Sequence, residues 1–226
     1  MEIHVVGTEV FYNNWTETFA PSEPREVADY VEEEWNSFMD DNKYEITVFG
    51  FNDYDVEVPE SEIKSDINDR YDLGDRREDI HDWLEDNWSP YADLYIEAII
   101  VLDYIESGSE LPIGQATNGT AGRDGWLVSD RVALVDMANF PEDDVRFHGQ
   151  TQHYGVAVHE LMHKYDTLHE DGAIFSSEEA TFMPQFNDDE DDVDCYAHEE
   201  KSAQRKAFMT YCSVEKIEDH VDDHIS

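Results

Sequence analysis

Apolar residues recur along this 226-residue chain with two spacings, one typical of strands and one typical of helices. Three segments have the strand pattern, namely Ile3 to Phe11, Tyr44 to Phe51 and Leu94 to Ile105. The last of them is apolar on both alternations, which predicts a central strand that is buried on both faces. After a glycine-rich loop from Gly114 to Gly125, residues Trp126 to Met137 predict one or two further strands.

Segments whose apolar residues have helical spacing lie between these predicted strands. A first helix is predicted after Ser22, because serine is a preferred N-cap and an apolar stripe follows it. That stripe is formed by Val27, Val31, Trp35 and Phe38. A second helix is predicted from Asp75, with Glu78 three residues further on as in a capping box. Its apolar face is formed by Ile80, Trp83, Leu84 and Trp88.

A third helix, predicted to begin near Thr151, carries the most informative residues of the chain. Its core face is formed by Tyr154, Val158, Leu161 and Tyr165. On another face His159 and His163 lie one turn apart, so both imidazoles can reach one metal ion. Glu160 lies just off that face, where its carboxylate can accept a proton from a metal-bound water. With His169, three imidazoles and a water would complete a tetrahedral catalytic zinc site.

The segment from His159 to His169, HELMHKYDTLH, resembles the HExxHxxGxxH signature of the metzincin metallopeptidases. It departs from that signature at Asp166, where those enzymes usually carry a glycine that leaves the helix in a left-handed conformation. Aspartate is among the non-glycine residues that tolerate this conformation best. We therefore expect the same turn here, at a cost of about 1 kcal/mol.

The resemblance implies an α/β (α+β) fold of the zincin or metzincin type. Such a fold has a mixed, twisted sheet with two N-terminal helices, the active-site helix, and a small, irregular C-terminal part that ends in a helix. We expect an upper subdomain over residues 1–166 and a lower subdomain over residues 167–226, closed by an amphipathic helix from Val214 to Ile225. In this family an edge strand pairs with the extended substrate, and we expect Trp126 to Met137 to be that edge.

Metzincins also carry a methionine beneath the metal, in a tight turn downstream of the third histidine. Met209 and Met183 are the candidates, and we favour Met209 because Tyr211 follows at the Met-x-Tyr spacing. In the astacin-like and serralysin-like branches this tyrosine approaches the zinc, so the resemblance implies that Tyr211 stabilises the oxyanion. Met183 stays the alternative, and ordinary core packing would explain either methionine.

The two cysteines, Cys195 and Cys212, flank the segment that leads into this turn. A disulfide between them would contribute about 3 kcal/mol and would hold the turn beneath the metal. Two buried free thiols are the alternative. Zinc ligation by cysteine is disfavoured, because three histidines already complete the protein's share of the site.

The charge of the chain indicates the environment in which it folds. Fifty-six acidic residues and 14 basic residues give a formal net charge of -42, and the acids are spread along the whole chain. A content of 40% hydrophobic and 12% aromatic residues argues against disorder. The composition is typical of folded proteins from extreme halophiles, such as haloarchaea, because molar salt shortens the Debye length to about 3 Å and screens the repulsion.

Several classes of partner are disfavoured. The chain has no basic patch for nucleic acid, and an anionic membrane surface would repel it. The longest apolar run, Ala98 to Leu102, is too short to cross a bilayer. No signal peptide is visible, so we expect either a cytoplasmic protein or a mature exported form in a high-salt environment. We expect a monomer whose partner is a protein or peptide substrate.

These residues together predict a zinc-dependent endopeptidase that cleaves internal peptide bonds at high salt, with Zn²⁺ as cofactor and Glu160 as general base. In one alternative the third ligand is a downstream carboxylate, as in gluzincins, from Glu178, Glu179 or Glu190. In another the zinc is structural, in a catalytically silent protein of this fold. Glu160 argues against the second, because a structural site needs no general base.

A separate acidic run, Asn187 to Asp194, has carboxylates that could hold calcium. The run lacks the ordered glycine and the terminal glutamate of an EF-hand loop. A solvated loop on a halophilic surface is therefore the favoured interpretation.

We predict that the protein loses its structure when salt is withdrawn, because repulsion among the acidic side chains is then no longer screened. Far-UV circular dichroism during dialysis from multimolar to millimolar KCl measures this loss. An uncharged osmolyte at equal osmolality is the control, and it should not restore the signal. Retention of full helical signal in millimolar KCl would contradict the prediction.

Overall fold

A computed structural model describes residues 1–14, 23–50, 56–68, 70–91, 96–105, 114–116, 121, 130–138, 152–168, 171, 180–181 and 207–225. In these ranges the chain forms a mixed α/β fold with a parallel sheet and five α-helices. The helices are α1 (Glu9–Asn14), α2 (Glu23–Phe38), α3 (Arg70–Asn87), α4 (Gln152–Lys164) and α5 (Tyr211–His224), with a 3₁₀ turn at Glu60–Glu62. The strands are β1 (Glu2–Thr8), β2 (Thr47–Gly50), β3 (Glu57–Val58), β4 (Ala98–Asp103), β5 (Gly114–Gln115), β6 (Val132–Asp136), β7 (Ala180–Thr181) and β8 (Ala207–Phe208).

The main sheet has the strand order β2-β1-β4-β6-β5, and β3 also pairs with β1. Strands β1, β2, β3, β4 and β6 are mutually parallel, whereas β5 runs antiparallel to β6. Strands β7 and β8 form a separate parallel pair in the C-terminal part. The described elements therefore follow the expected order of strands and helices ahead of α4.

Helices cover both faces of the main sheet. Ile100 and Leu102 of β4 pack in one core cluster with residues of α2, α4 and α5. Ile99 and Val101 of the same strand point the other way, into a second cluster with residues of α3. The prediction that this strand is buried on both faces is therefore confirmed, although its described part begins at Ala98 rather than Leu94.

The predicted helices are present, with shifted ends. The stripe on α2 is confirmed, since its four apolar residues are fully buried. Helix α3 begins at Arg70, ahead of the predicted start at Asp75. The reason is local: the Asp72 carboxylate accepts a hydrogen bond from the backbone N–H of Asn68, 2.9 Å away, just before the helix. Helix α5 covers the predicted closing segment but starts three residues earlier, at Tyr211.

Two of the predicted strands are shorter than predicted. The first strand was expected to continue to Phe11, but it ends at Thr8 and the chain turns into α1. The Thr8 hydroxyl accepts a hydrogen bond from the Phe11 N–H at 3.1 Å and so caps that helix. The strand predicted from Tyr44 begins at Thr47.

The prediction that Trp126 to Met137 forms the edge of the sheet is wrong. Within Trp126 to Met137 the described strand is β6, which lies between β4 and β5 and is therefore internal. All five of its residues are buried, as is usual for a strand covered on both faces. On this side of the described sheet the outermost strand is β5, which lies inside the segment that was predicted to be a loop.

None of the helices that the structure describes is long and apolar enough to cross a membrane. The division into subdomains at residue 166 stays a prediction.

Candidate functional site

Helix α4 lies in the middle of the molecule, packed against β6, β4 and α2. Every residue from Tyr154 to Tyr165 is buried, so the helix has no solvent-facing side over this stretch. The predicted core face is therefore confirmed, and the face that carries the histidines is buried as well. Each ionisable side chain on α4 must find its partners inside the protein.

The structure brings His159 and His163 together as the spacing predicted. Their ring centroids are 4.8 Å apart and the ring planes are nearly perpendicular, at 86°. The Nδ1 atom of His163 lies 2.8 Å from the carbonyl oxygen of Thr167. Since a carbonyl can only accept, this ring donates from Nδ1 and would bind a metal through Nε2, an orientation typical of metal-binding histidines.

The chain leaves α4 through a left-handed residue, as predicted. Asp166 has φ of 62° and is the only non-glycine residue with positive φ in the described part of the chain. The backbone N–H groups of Asp166 and Thr167 donate to the carbonyl oxygens of His163 and Met162, at 3.1 and 3.3 Å. These bonds end the helix and redirect the chain. His169, the predicted third ligand, lies outside the described residues.

Side chains at the start of α5 fix the segment on either side of position 169. The N–H of Leu168 donates to an Asp171 carboxylate oxygen at 2.7 Å. The carbonyl oxygen of Asp171 in turn accepts hydrogen bonds from the hydroxyls of Thr210 and Ser213. Thr210 also caps α5 by accepting from the Ser213 N–H at 3.0 Å. The residue before Thr210 is therefore held close to the chain that follows α4.

That residue is Met209, the favoured candidate for the Met-turn. It is fully buried and belongs to the same core cluster as Leu161 and Met162 of α4. Tyr211 begins α5 and is 59% exposed. Met183 lies outside the described residues, so the choice between the two methionines stays a prediction.

The cysteines are described only in part. Cys212, in the first turn of α5, is disulfide-bonded. Cys195, the other cysteine of the chain, lies outside the described residues.

Glu160 is buried directly beneath the edge strand. Only 4% of the residue is exposed, and one carboxylate oxygen lies 3.8 Å from Nε2 of His159. A Cβ atom placed on Gly114 of β5 would lie 2.6 to 2.8 Å from the Glu160 carboxyl group and Cγ. A side chain at position 114 would therefore displace the Glu160 carboxyl group from this position.

Two cations act on the Glu160 carboxylate. Burial raises the pKa of this carboxyl to about 8, and the charges of Lys164 and Arg77 oppose that rise. The pKa of the Lys164 ammonium is itself lowered well below its ordinary value, first by burial and then by Arg77. Glu160 is thus a carboxylate whose proton affinity is set by burial against two nearby positive charges.

Asp130 holds these cations in place. The Lys164 ammonium donates to the Asp130 carbonyl oxygen at 2.8 Å and lies 3.9 Å from its carboxylate. Arg77, from α3, forms an ion pair with the same carboxylate. Two carboxyl groups and two basic groups therefore lie together behind α4, contributed by α3, by α4 and by the residue two positions before β6.

Gly114, Arg77, Asp130 and Lys164 were not predicted from the sequence as residues of the site. Lys164 follows His163 directly, and a lysine in so acidic a chain was an available signal. Nothing in the sequence singles out Gly114 among 11 glycines, or Arg77 from its helix neighbours.

A second cluster lies on α3, where ligand atoms of His81, Asp82 and Glu85 are within 4.8 Å of one another. Both carboxylate residues are exposed, whereas His81 is buried and its Nδ1 is hydrogen-bonded to the Tyr91 hydroxyl. The two carboxylates therefore lie on the solvated face of α3, and the histidine is held by a partner inside the protein.

In comparisons with known proteins, no protein-family model and no curated protein matches this sequence. The functional argument therefore rests on the residues and geometry of this chain.

We predict that Asp166→Ala lowers the free energy of unfolding by about 1 kcal/mol, because alanine lacks the short polar side chain that makes φ of 62° tolerable. Asp166→Gly should be neutral or slightly stabilising, since glycine adopts this conformation without strain. Urea unfolding in multimolar KCl measures both. Equal stability of the two variants would show that the left-handed conformation does not determine the residue at this position.

Proposed function

We propose that this protein is a zinc-dependent endopeptidase that hydrolyses internal peptide bonds of proteins or peptides at high salt. The proposal rests on the arrangement of residues in the C-terminal half of α4 and directly after it. Two histidines one turn apart are followed by a left-handed residue at the position where the metzincin resemblance expects glycine. The order of the described strands and helices supports the proposal as well.

The donor set suits zinc. Neutral imidazoles are preferred zinc ligands, and the Thr167 carbonyl orients the His163 ring as an outer-shell partner would. We propose that His159, His163 and His169 hold the ion. When bound, zinc supplies a Lewis acid that polarises the scissile carbonyl and lowers the pKa of a coordinated water towards neutrality.

Glu160 is the proposed general base. Its carboxylate accepts the proton of the attacking water and then delivers it to the leaving amine. Lys164 and Arg77 favour the ionised carboxylate in its buried position, and Asp130 holds both cations. We propose that Tyr211, which is exposed at the start of α5, donates a hydrogen bond to the oxyanion.

The substrate is proposed to lie along β5 as an extended strand. In the described part of the sheet no strand lies beyond β5, so its outer backbone groups can pair with a peptide. Gly114 brings this edge against the Glu160 carboxylate. A peptide aligned on β5 would therefore have its backbone next to the general base, with no selection for particular side chains by the strand itself.

Two alternatives differ from this proposal in the third zinc ligand or in the role of the zinc. In the gluzincin alternative, the third ligand is Glu178, Glu179 or Glu190, which lie outside the described residues. The structural-zinc alternative does not account for Glu160, because a structural site needs no general base and gains nothing from a buried carboxyl group. We propose a monomer that acts on peptides and binds neither nucleic acid nor membranes.

We predict that Glu160→Ala retains zinc and loses turnover, whereas His169→Ala weakens zinc binding itself. The Glu160 change removes only the base, and the His169 change removes a ligand. Zinc content by mass spectrometry under native conditions and cleavage of an unfolded protein in multimolar KCl measure the two effects.

His220→Ala is a control for the loss of a histidine, because His220 lies on α5 and is hydrogen-bonded to the Ala121 carbonyl. It should keep zinc. Unchanged zinc affinity in His169→Ala would exclude the metzincin ligand set, and cleavage by Glu160→Ala would exclude this residue as the base.

We predict that Gly114→Ala lowers kcat by about one to two orders of magnitude with zinc retained, because the new methyl group must displace the Glu160 carboxylate. The matched control is Gly50→Ala, whose Cβ would meet the backbone of Pro24 and Arg25 in α2 at 2.4 to 2.5 Å rather than the Glu160 side chain. That variant should lose stability but keep kcat per folded molecule. Equal kcat values for the two variants would contradict the proposed role of Gly114.

A further inference from the structure

A cavity of about 250 Å³ opens where the central strands β1 and β4 end. After β1 the chain passes through α1 and α2 to β2, which lies beside β1 on the side away from β4. After β3 it passes through α3 to β4, on the opposite side of β1. The connections therefore diverge between the carboxyl ends of these two strands. In open α/β sheets, ligands bind in the crevice at such a point.

The wall of the cavity combines apolar and polar side chains. Val10 follows β1, Ile105 follows β4, and Ile67 precedes α3; together they supply apolar surface. Glu60 and Arg76 supply opposite charges to the same cavity. An apolar pocket with a few converging polar groups is the usual form of a small-molecule site.

Arg76 offers fixed hydrogen-bond donors. Its Nε and Nη2 atoms donate to the two carboxylate oxygens of Asp103, at 2.5 and 2.9 Å, and Nη1 donates to the Lys64 carbonyl oxygen. These bonds use three of the five N–H groups of the guanidinium. Within the described part of the chain, one N–H on Nη1 and one on Nη2 remain for another acceptor. The side chain is only 4% exposed, so its geometry is set by the protein.

Glu60 supplies the second charged contact. Its backbone N–H donates to Glu9 at 2.9 Å, but its own carboxylate meets no cation among the described residues. The charge of Arg76 is already matched by Asp103, and the Glu9 carboxylate lies beside Glu60, so the surroundings of the cavity are net negative. A ligand with a positive group near Glu60 and an acceptor oxygen towards Arg76 would satisfy both, whereas an anion would be repelled.

We propose that this cavity binds a free aliphatic α-amino acid. The ammonium group would pair with Glu60, the carboxylate would accept from Arg76, and the aliphatic side chain would contact Val10, Ile67 and Ile105. The site uses none of the α4 residues, so the proposal does not depend on the proposed peptidase activity.

The first test compares three probes in multimolar KCl, by calorimetry and by ¹H–¹⁵N NMR titration of the full chain. L-Leucine has both charges, 3-methylbutylamine lacks the carboxylate and any other acceptor oxygen, and 4-methylpentanoate lacks the ammonium. We expect saturable binding of leucine, with shifts at Val10 and Ile105, and at least tenfold weaker binding of the other two. Absent binding of leucine, or equal binding of 3-methylbutylamine, would overturn the proposal.

The second test uses variants at the mouth of the cavity. Glu60→Gln should weaken leucine binding about fivefold, and Ser65→Tyr should block the cavity and abolish binding. Glu62→Gln is the matched control, because Glu62 lies on the same exposed 3₁₀ turn but does not line the cavity. All three positions are exposed, so the variants should fold. Equal affinities of Glu60→Gln and Glu62→Gln would overturn the assignment.

A final arm separates this site from the candidate zinc site. Leucine binding should persist after metal chelation and in Glu160→Ala. If binding is lost in either case, the amino acid is held at the zinc site as a product would be, and the cavity assignment is wrong. If wild type shows no peptidase activity but binds leucine as described, the proposed function fails and this inference stands.

Discussion

The burial of every residue from Tyr154 to Tyr165 in and after α4 is the constraint on which the rest of the structure depends. A helix with no exposed side cannot leave His159, Glu160, His163 and Lys164 to water, so its surroundings must provide their partners. Thr167, four residues after His163, orients one imidazole. Asp130 and Arg77, which are distant in sequence, complete the charges around Glu160 and Lys164. The sheet, α2 and α3 therefore determine the electrostatics of the site as well as its position.

The C-terminal segment is fixed to this helix by a short chain of polar contacts. The left-handed Asp166 turns the backbone out of α4, and the Asp171 carbonyl then accepts from Thr210 and Ser213 at the start of α5. Met209 is buried between these two points. The turn after α4 and the cap of α5 thus act as one unit, so a change at either one would be transmitted to the segment that contains position 169.

The local features of the fold and site could be predicted from the sequence, whereas features that depend on long-range packing could not. The apolar periods indicated α2, α3, α4 and the two-sided strand β4, because each is a local pattern of burial. The one-turn histidine spacing also follows from local geometry, whereas the left-handed Asp166 was expected from the resemblance to the metzincin signature. By contrast, β5 has two residues and no period, so its place at the edge was missed and β6 was assigned there instead. The contact of Gly114 with Glu160 and the ion pair of Arg77 with Asp130 join distant segments and leave no local signal.

The location of the positive charges has a consequence for how the protein tolerates mutation. At least four of its 14 basic residues are buried, namely Arg76, Arg77, Arg131 and Lys164. Each is held by carboxylates or carbonyl oxygens in the interior, beyond the reach of dissolved ions, so added salt cannot substitute for it. The surface has few lysines and arginines that could rearrange to take its place. The fold should therefore tolerate substitution of most single acidic residues, because each is one of many. Loss of a single buried cation should not be tolerated, because no other basic residue can replace it.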